Sequence, residues 1–373
     1  MEFHIQKEPL LKALARIQTV VERRNTMTML GTALLEAQDG RIVLSATDLE
    51  VSLRTTCAAE IIHEGTMALN AKTLFEIVRE LAPTNVVFRM ETESRLILLA
   101  GRARFELAGF PIAEFPKIPQ AEGERFGFEH ALLAEMFGKT HFAMSSDDSR
   151  FTLNGVLFQL SPPSDDSESP KVRMVATDTH RLAMVEKPLQ REIAELREVI
   201  IPKKAVFEMR KVLEEDQEPM EIIMGTAHIQ FIKSELTLIT KLIQGRFPDY
   251  RRVIPSQNSI RLSMDRLELD SVVKRISVLS HEKSRGIRMN VHGSLMKISS
   301  NNPEQEAGEE EIAVQFDSEE PFAIGFNARY LRDILTAMEG VEVRFVFNND
   351  ETPVLVFDPN RNDALFVLMP MRV

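Results

Sequence analysis

Apolar residues along the chain follow two alternating rhythms. Leu10, Leu11, Leu14, Ile17 and Val21 recur at helical spacing and predict an amphipathic helix from about Pro9, a residue suited to a first turn because its missing N–H would lack a partner there anyway. A short strand, Glu2 to Ile5, precedes it. The stretches Met29 to Ala37, Arg41 to Ala46, Val51 to Cys57 and Gly65 to Leu69 predict strands, and a second helix over 71–81 is followed by strands near 86–92, 95–100 and 103–107. The order helix, strands, helix, strands then begins again. Six helices are predicted in all, over 7–24, 71–81, 129–141, 203–216, 265–285 and 327–338.

The pattern is a threefold internal repeat. Leu44-Ser-Ala-Thr-Asp-Leu-Glu-Val-Ser-Leu53 returns as Met174-Val-Ala-Thr-Asp-Thr-His-Arg-Leu-Ala-Met-Val185 and, more weakly, as Ile298-Ser-Ser-Asn-Asn-Pro-Glu-Gln-Glu306, so that Asp48, Asp178 and Asn302 stand 130 and 124 residues apart. In each copy the polar step between two apolar runs predicts a tight turn joining two strands. The second helices correspond in the same order: Leu69-Asn-Ala-Lys to Leu81, Ile201-Pro-Lys-Lys to Leu213, and Phe326-Asn-Ala-Arg to Met338. Each copy closes on a related segment, with Phe115-Pro116, Phe247-Pro248 and Met369-Pro370 in matching places. Copies of this length are of ordinary domain size, and three domains are predicted, 1–120, 126–255 and 256–373.

Composition narrows the class. The 373 residues are 44% hydrophobic and 27% charged, which is an ordinary globular balance, and no window approaches the apolar length of a membrane span. The charged start Met1-Glu-Phe-His-Ile-Gln-Lys-Glu-Pro does not resemble a secretion signal, so a cytoplasmic location is expected. Cys57 stands alone, which rules out an internal disulfide and a cysteine-held zinc, and it is expected to be a structural residue in or beside a strand. A net charge of −11 argues against a nucleic-acid partner until its distribution is considered: the six predicted helices hold 19 Lys and Arg against 15 Asp and Glu, leaving the remainder at −15. Basic charge therefore concentrates on helices.

Motifs for chemistry are missing. The chain has no phosphate-binding glycine loop, no dinucleotide turn and no nucleophile elbow, and His63-Glu64 and His281-Glu282 lack the second histidine of a zinc-protease helix. Two acidic segments, Leu160-Ser-Pro-Pro-Ser-Asp-Asp-Ser-Glu-Ser-Pro170 and Glu304 to Glu311, lack the spacing of a calcium loop; the first reads as an exposed loop between strands, the second as a solvated hairpin tip. No cofactor or metal is expected, and a non-enzyme is favoured.

Taken with the repeat, Leu153-Asn-Gly155, Ala176-Thr-Asp-Thr-His-Arg-Leu182, Gly245-Arg-Phe-Pro-Asp-Tyr-Arg-Arg252, Asn302-Pro-Glu-Gln-Glu306 and Met369-Pro-Met-Arg372 resemble the bacterial DNA polymerase III beta subunits, the DNA sliding clamps, and the resemblance covers essentially the whole chain. It implies an α+β fold of three similar domains per chain, closed by two head-to-tail protomers into a six-domain ring with helices lining the hole and sheets outside. Such a ring encircles double-stranded DNA without reading its sequence, since Lys and Arg on the inner helices meet only the backbone. A tethered polymerase then rebinds intramolecularly, which is processivity. The implied partners are the replicative polymerase catalytic subunit, the clamp loader, translesion polymerases and mismatch-repair proteins, each bringing a clamp-binding peptide, and none of them a membrane.

The resemblance also implies sites. Peptides would enter a groove between the second and third domains, where the matching residues are Leu153, Thr177, His180, Arg181, Leu182, Pro248, Arg252, Val253, Val367, Leu368, Met369, Pro370, Met371 and Arg372. Leu, Val and adaptable Met suit an apolar floor, with His and Arg at the edge for polar groups. Arg24, Lys72, Lys203, Arg210, Lys274 and Arg329 are the candidates for DNA contact, each otherwise a solvated helix charge. Phe105 and Leu107 would meet Val278 and Leu279 across the dimer interface. Thr179 stands where relatives often have glycine; a position needing φ > 0 suits threonine poorly, which leaves the shape of the pocket mouth open. The loop Ser145-Ser-Asp-Asp148 is too acidic for DNA contacts to be carried onto it. Two other readings remain: an enzyme using the groove as a small-molecule site with His180 or an acidic cluster as base, and a clamp-like scaffold that binds partners but not DNA.

Overall fold

A computed structural model describes residues 1–21, 27–165, 167–215 and 217–372. The DNA-facing candidate Arg24 lies outside them. The first copy runs β1 (Glu2–Gln6), α1 (Lys7–Val20), β2 (Thr32–Gln38), β3 (Arg41–Thr47), β4 (Val51–Ala58), β5 (Glu60–His63), β6 (Gly65–Asn70), α2 (Ala71–Glu80), β7 (Asn85–Thr92), β8 (Arg95–Ala100) and β9 (Ala103–Phe110). The second runs β10 (Gly123–Phe128), α3 (His130–Thr140), β11 (Gly155–Ser161), β12 (Lys171–Thr177), β13 (Arg181–Pro188), β14 (Arg197–Pro202), α4 (Lys203–Glu215), β15 (Met220–Gly225), β16 (His228–Lys233) and β17 (Leu236–Lys241). The third runs β18 (Ile260–Asp265), α5 (Arg266–Ile276), β19 (Gly286–His292), β20 (Leu295–Asn301), β21 (Ala307–Ala313), β22 (Gln315–Phe316), β23 (Phe322–Asn327), α6 (Ala328–Ala337), β24 (Glu342–Phe347), β25 (Val354–Phe357) and β26 (Ala364–Leu368). Each copy opens on a strand and carries its two helices at equivalent places.

Local chemistry sets the helix boundaries. Asn70 and Asn327 occupy the same position before α2 and α6; the Asn70 side chain accepts the Thr73 N–H at 2.8 Å, and that of Asn327 accepts the N–H groups of Arg329 and Tyr330. Asp265 caps α5 through the Glu268 N–H at 2.8 Å. The fifth helix is shorter than its predicted span of 265–285. Its apolar stripe, Leu269, Val272, Val273 and Ile276, ends at Ile276, and a single tight turn at Ser277–Leu279 follows, closed by the Ser280 hydroxyl donating to the Ser277 carbonyl at 2.6 Å. Within the observed bounds the six helices hold 15 Lys and Arg against 10 Asp and Glu, so the basic bias survives the correction.

Two compact units result. One comprises Met1–Leu133 with Phe207–Leu242, the other Ala134–Val206 with Ile243–Val373. The first is built on a thirteen-stranded sheet ordered β10-β15-β16-β17-β4-β3-β2-β6-β9-β8-β7-β1-β5. The helix α1 buries Leu10, Ala13, Leu14, Ile17 and Val20, and Phe3 stacks on Phe88 with centroids 4.6 Å apart. Cys57 is buried in β4, and burial pushes its thiol up to about 12, which leaves it unreactive. The second unit has a nine-stranded sheet, β14-β11-β12-β13-β26-β25-β24-β18-β22, and a four-stranded one, β21-β20-β19-β23. Both units contain the same antiparallel joint between copies: β4 with β17 in the first, β13 with β26 in the second. The acidic segment expected as a hairpin tip is mostly strand: Ala307–Ala313 pairs along its whole length with β20, and only the residues before it form the turn. Alternation of Glu309 and Glu311 with half-buried Gly308 and Glu310 and buried Ile312 gives it a sheet period that its charge obscures.

Candidate functional site

The turn after β12 is held by its own side chains. Asp178 Oδ1 accepts the N–H groups of His180 at 2.9 Å and Arg181 at 3.0 Å, and the Thr177 hydroxyl donates to the Arg181 carbonyl at 2.7 Å while accepting the Thr179 N–H at 3.1 Å. This arrangement drives Thr179 to φ +78°, the left-handed region where glycine is at ease and a β-branched residue is not. The turn at Thr47–Val51 repeats every one of these bonds: Asp48 Oδ1 accepts from Glu50 and Val51, Thr47 bridges Leu49 and Val51, and Leu49 sits at φ +77°. In the third copy the turn is one residue longer, with Asn302 Oδ1 accepting the Glu306 N–H at 2.9 Å and Gln305 at φ +65°. Thr179 therefore accepts the glycine-like conformation, and its hydroxyl takes a 2.8 Å hydrogen bond from Arg150.

What the turn delivers is the start of β13. Leu182 pairs with Val367 of β26 and Arg181 with Leu368, and strand alternation sends the two pairs to opposite faces. On one face Leu182 and Val367 join Leu153, Leu157, Val175, Ile200, Phe247 and Tyr250 in an apolar cluster, flanked by Met184, Ile243, Ile254, Leu355 and Leu365. The segment from Ile243 to Ile254 lies over this face and is fixed by the Arg173 guanidinium donating to the Tyr250 hydroxyl at 3.0 Å. Pro248, Arg252 and Val253 remain exposed at its rim, with Val253 46% accessible and Arg252 paired to Asp249 at 3.0 Å. Phe151, 56% accessible, stands beside Gly245.

On the other face Arg181 is buried, and each of its three guanidinium nitrogens donates: Nε to Asp178 at 3.0 Å, Nη1 to Asp333 at 2.6 Å, Nη2 to the Phe142 carbonyl at 2.5 Å, with the guanidinium 4.3 Å from the Tyr330 ring centroid and 5.2 Å from that of Phe142. Arg181 and Leu368 thus belong to the helix side of the sheet, away from the apolar face that Leu182 and Val367 share. His180 is exposed and stacks on Tyr330 at 6.2 Å. The tail is anchored on two sides, the Met369 N–H to the His180 carbonyl and the Met371 N–H to the Gly325 carbonyl, both at 2.9 Å. Met369, Pro370 and Met371 are half-buried, and Arg372 is exposed beside Glu351. Of the sequence-derived set, the structure brings together Leu153, Leu182 and Val367 with the rim around Pro248 and Val253. Sequence reasoning missed Met184, Ile200, Phe247 and Tyr250, of which the last two stand inside the quoted Phe-Pro-Asp-Tyr segment, and it missed Phe142, Tyr330 and Asp333, whose shared neighbour Arg181 lies far away in the chain.

An ionic cluster braces the same joint. Glu135 and Lys139 on α3 and Lys187 on β13 meet Glu339, Arg361 and Asp363, with Lys187 to Glu135 at 2.9 Å, Arg361 to Glu135 at 3.0 Å, and Lys187 also bonded to Asp363. Burial alone would raise the Asp363 carboxyl, but hydrogen bonds from Lys187 and Arg361 and the Lys139 and Lys187 charges hold it well below the ordinary carboxylate range.

The remaining candidates lie on helices and strand edges. Lys72 is exposed on α2, 3.6 Å from Glu76; Lys203, at the start of α4, donates to the Ser145 carbonyl at 3.3 Å and the Ser146 hydroxyl at 2.6 Å. Arg210 is half-buried on α4, and Lys274 and Arg329 are exposed on α5 and α6. Phe105 and Leu107 are half-buried on β9, Leu279 is half-buried, and Val278 is 79% accessible. No helix among the described residues is long and apolar enough to cross a membrane.

Comparison with known proteins gives one consistent answer. Family models for the DNA polymerase III beta subunit match in three parts: the N-terminal domain over residues 1–119, the central domain over 128–249 and the C-terminal domain over 251–372. The beta sliding clamp of Pseudomonas aeruginosa is 36% identical over 376 residues, and that of Caulobacter vibrioides 36% over 378, each alignment covering all of both chains. The crystal structure of a DnaN sliding clamp from Bartonella birtlesii bound to griselimycin superposes with a TM-score of 0.95 at 34% identity over the whole of both chains.

Proposed function

The chain belongs to the DNA polymerase III beta subunit family and serves as a DNA sliding clamp, a processivity factor, and on that premise we propose how its surfaces divide the work. Two protomers, each of three domains at 1–120, 126–255 and 256–373, close head to tail into a ring around double-stranded DNA. The observation that carries this reading is the threefold repeat with basic charge on its helices and acidic charge elsewhere. Lys72, Lys203, Arg210, Lys274 and Arg329 then meet phosphates without reading bases, which permits sliding. The protein is non-catalytic, works in the cytoplasm, and holds its partners on DNA by topology and effective concentration. Retention on nicked circular DNA and release on linearisation test this; a protein that stays bound to linear DNA, or never binds the circle, would refute it.

Free strand edges support the ring closure. From Ala103 to Ala108, β9 pairs with β8 on one side only, since β6 meets it just at Gly109 and Phe110; β21 pairs only with β20. An edge carrying Phe105 and Leu107 on one protomer and an edge beside Val278 and Leu279 on its partner are unlike surfaces, as a heterologous, ring-closing contact requires. Val278→Ala with Leu279→Ala should shift the protein towards monomer in sedimentation at submicromolar concentration.

The apolar face around Leu153, Leu182 and Val367 receives the clamp-binding peptides of the replicative polymerase, clamp loader, translesion polymerases and mismatch-repair proteins. Pro248, Val253 and the Met369–Arg372 tail form its rim, and exposed His180 offers a polar contact. Arg181, buried with each guanidinium nitrogen engaged, positions the turn rather than touching the peptide.

A further inference from the structure

One basic cleft is absorbed neither by the groove nor by the strand edges. It lies where the end of α5 meets the start of α6, has a volume of about 170 Å³, and is lined by Ser277, Ser280, Arg285, Arg329, Arg332 and Thr336, with Asp333 and Ala328 completing the wall. Arg285 is fixed there by its backbone. Its N–H donates to the His281 carbonyl and its carbonyl accepts the Ala328 N–H, both at 2.8 Å, at a left-handed φ of +49°. Arg329 and Arg332 follow on α6, one turn apart. Arg332 is held by Asp270 at 2.9 Å, and Asp333 is already matched to Arg181 at 2.6 Å. The guanidinium groups of Arg285 and Arg329 have no hydrogen bond or ion pair among the described residues, and the one carboxylate in the wall, Asp333, is engaged by Arg181.

The placement runs against local preference. The first turn of α6 contains no acidic residue, and cations stand at the positive end of its dipole, where a helix favours anions. The corresponding residue of the first copy, Lys72, stands 3.6 Å from Glu76, whereas the acidic residue at the same spacing from Arg329, Asp333, is turned to Arg181 at 2.6 Å. Sequence choices that oppose local stability without internal compensation are expected at functional sites. Two unpaired guanidiniums in a concave space a few water molecules wide match a compact dianion better than the single charge of a backbone diester, which a sliding protein must release at every step.

We propose that this cleft binds a phosphate dianion, either the terminal phosphomonoester of a nucleic acid or nucleotide or free phosphate. It rests on the clamp reading only for the source of that phosphate. The test is titration of wild-type protein with inorganic phosphate, followed by calorimetry and by ³¹P line width, alongside Arg285→Ala/Arg329→Ala. Loss of two charge-assisted contacts should weaken binding roughly tenfold or more, and binding to the wild type should fall as the pH drops through the second phosphate ionisation near about 6. The corresponding double lysine variant should recover part of the affinity. Absence of phosphate binding to the wild type, or equal binding to the alanine variant, would overturn the proposal. Duplex oligonucleotides with and without a 5′-phosphate separate the sources: a preference for the phosphorylated end that vanishes in the variant identifies a DNA terminus, and phosphate binding without that preference identifies a free phosphate or nucleotide. Retention of the wild-type protein on nicked circles reports on the clamp independently, since Arg329 is itself among the DNA-facing candidates.

Discussion

The turns at Thr47–Val51 and Thr177–Arg181 share a backbone down to the sign of φ, yet only one leads into an apolar cluster. In the first unit the residue after the turn is Ser52, paired with Ile239, and Thr47, Ser52 and Thr240 are all buried there, with the Ser52 hydroxyl donating to Thr47 at 2.8 Å. In the second unit the corresponding positions are Leu182 and Val367, whose neighbours are Leu153, Phe247 and Tyr250. A scaffold can be copied with its hydrogen bonds intact while the side chain after the turn decides whether the joint is filled by hydroxyl groups or by apolar packing. The bracing differs as well: Arg16 and Lys12 share Glu215 in the first unit, whereas the second holds a cluster of six charged groups.

Exchanging the deciding residue should have the largest effect. Leu182→Ser should cost about 4 kcal/mol of stability, as removal of a buried leucine plus an ill-matched hydroxyl, and abolish binding of a fluorescent clamp-binding peptide; retained affinity would sink the groove assignment. Asp363→Asn should cost about 3 kcal/mol at neutral pH by leaving Lys187 short of a buried partner. Because the folded carboxyl titrates below its unfolded value, that difference should persist down to about pH 4 and then shrink as pH falls through the folded value, which melting curves against pH would show. Asp48→Ala and Asp178→Ala each remove the acceptor of two turn N–H groups and should cost about 2 kcal/mol, but only the second should lower peptide affinity. The smallest effect should come from Leu49→Gly and Thr179→Gly, each relieving about 1 kcal/mol of left-handed strain; for Thr179 the lost Arg150 contact should reduce the gain, a difference visible in parallel denaturant titrations.

Much of this was legible in the chain. The repeat, the six helices and the matched turns follow from periodicity, because burial of one helix face and the Thr-Asp pair each leave a local signature. Helix ends were legible where Asn70 and Asn327 stand as caps and illegible after Ile276, where only the end of an apolar stripe marks the stop. Strand β21 was hidden by its glutamates, since an edge strand needs few apolar residues. The candidate groove residues come from resemblance, which gathers Arg181 with Leu182 and Leu368 with Val367; only the pleat separates them. The socket of Arg181, from Phe142 to Asp333, joins residues 191 positions apart in number and has no local trace.

The position of β26 has a consequence for synthesis. It lies between β13 and β25, and the residues beyond it tie the turn at His180 to β23. The nine-stranded sheet therefore cannot close until β26, some 180 residues after β13, has been made. A nascent chain can complete the thirteen-stranded sheet, all of whose strands lie before residue 242, while the nine-stranded one still lacks its central strand, so the two units close in sequence during synthesis.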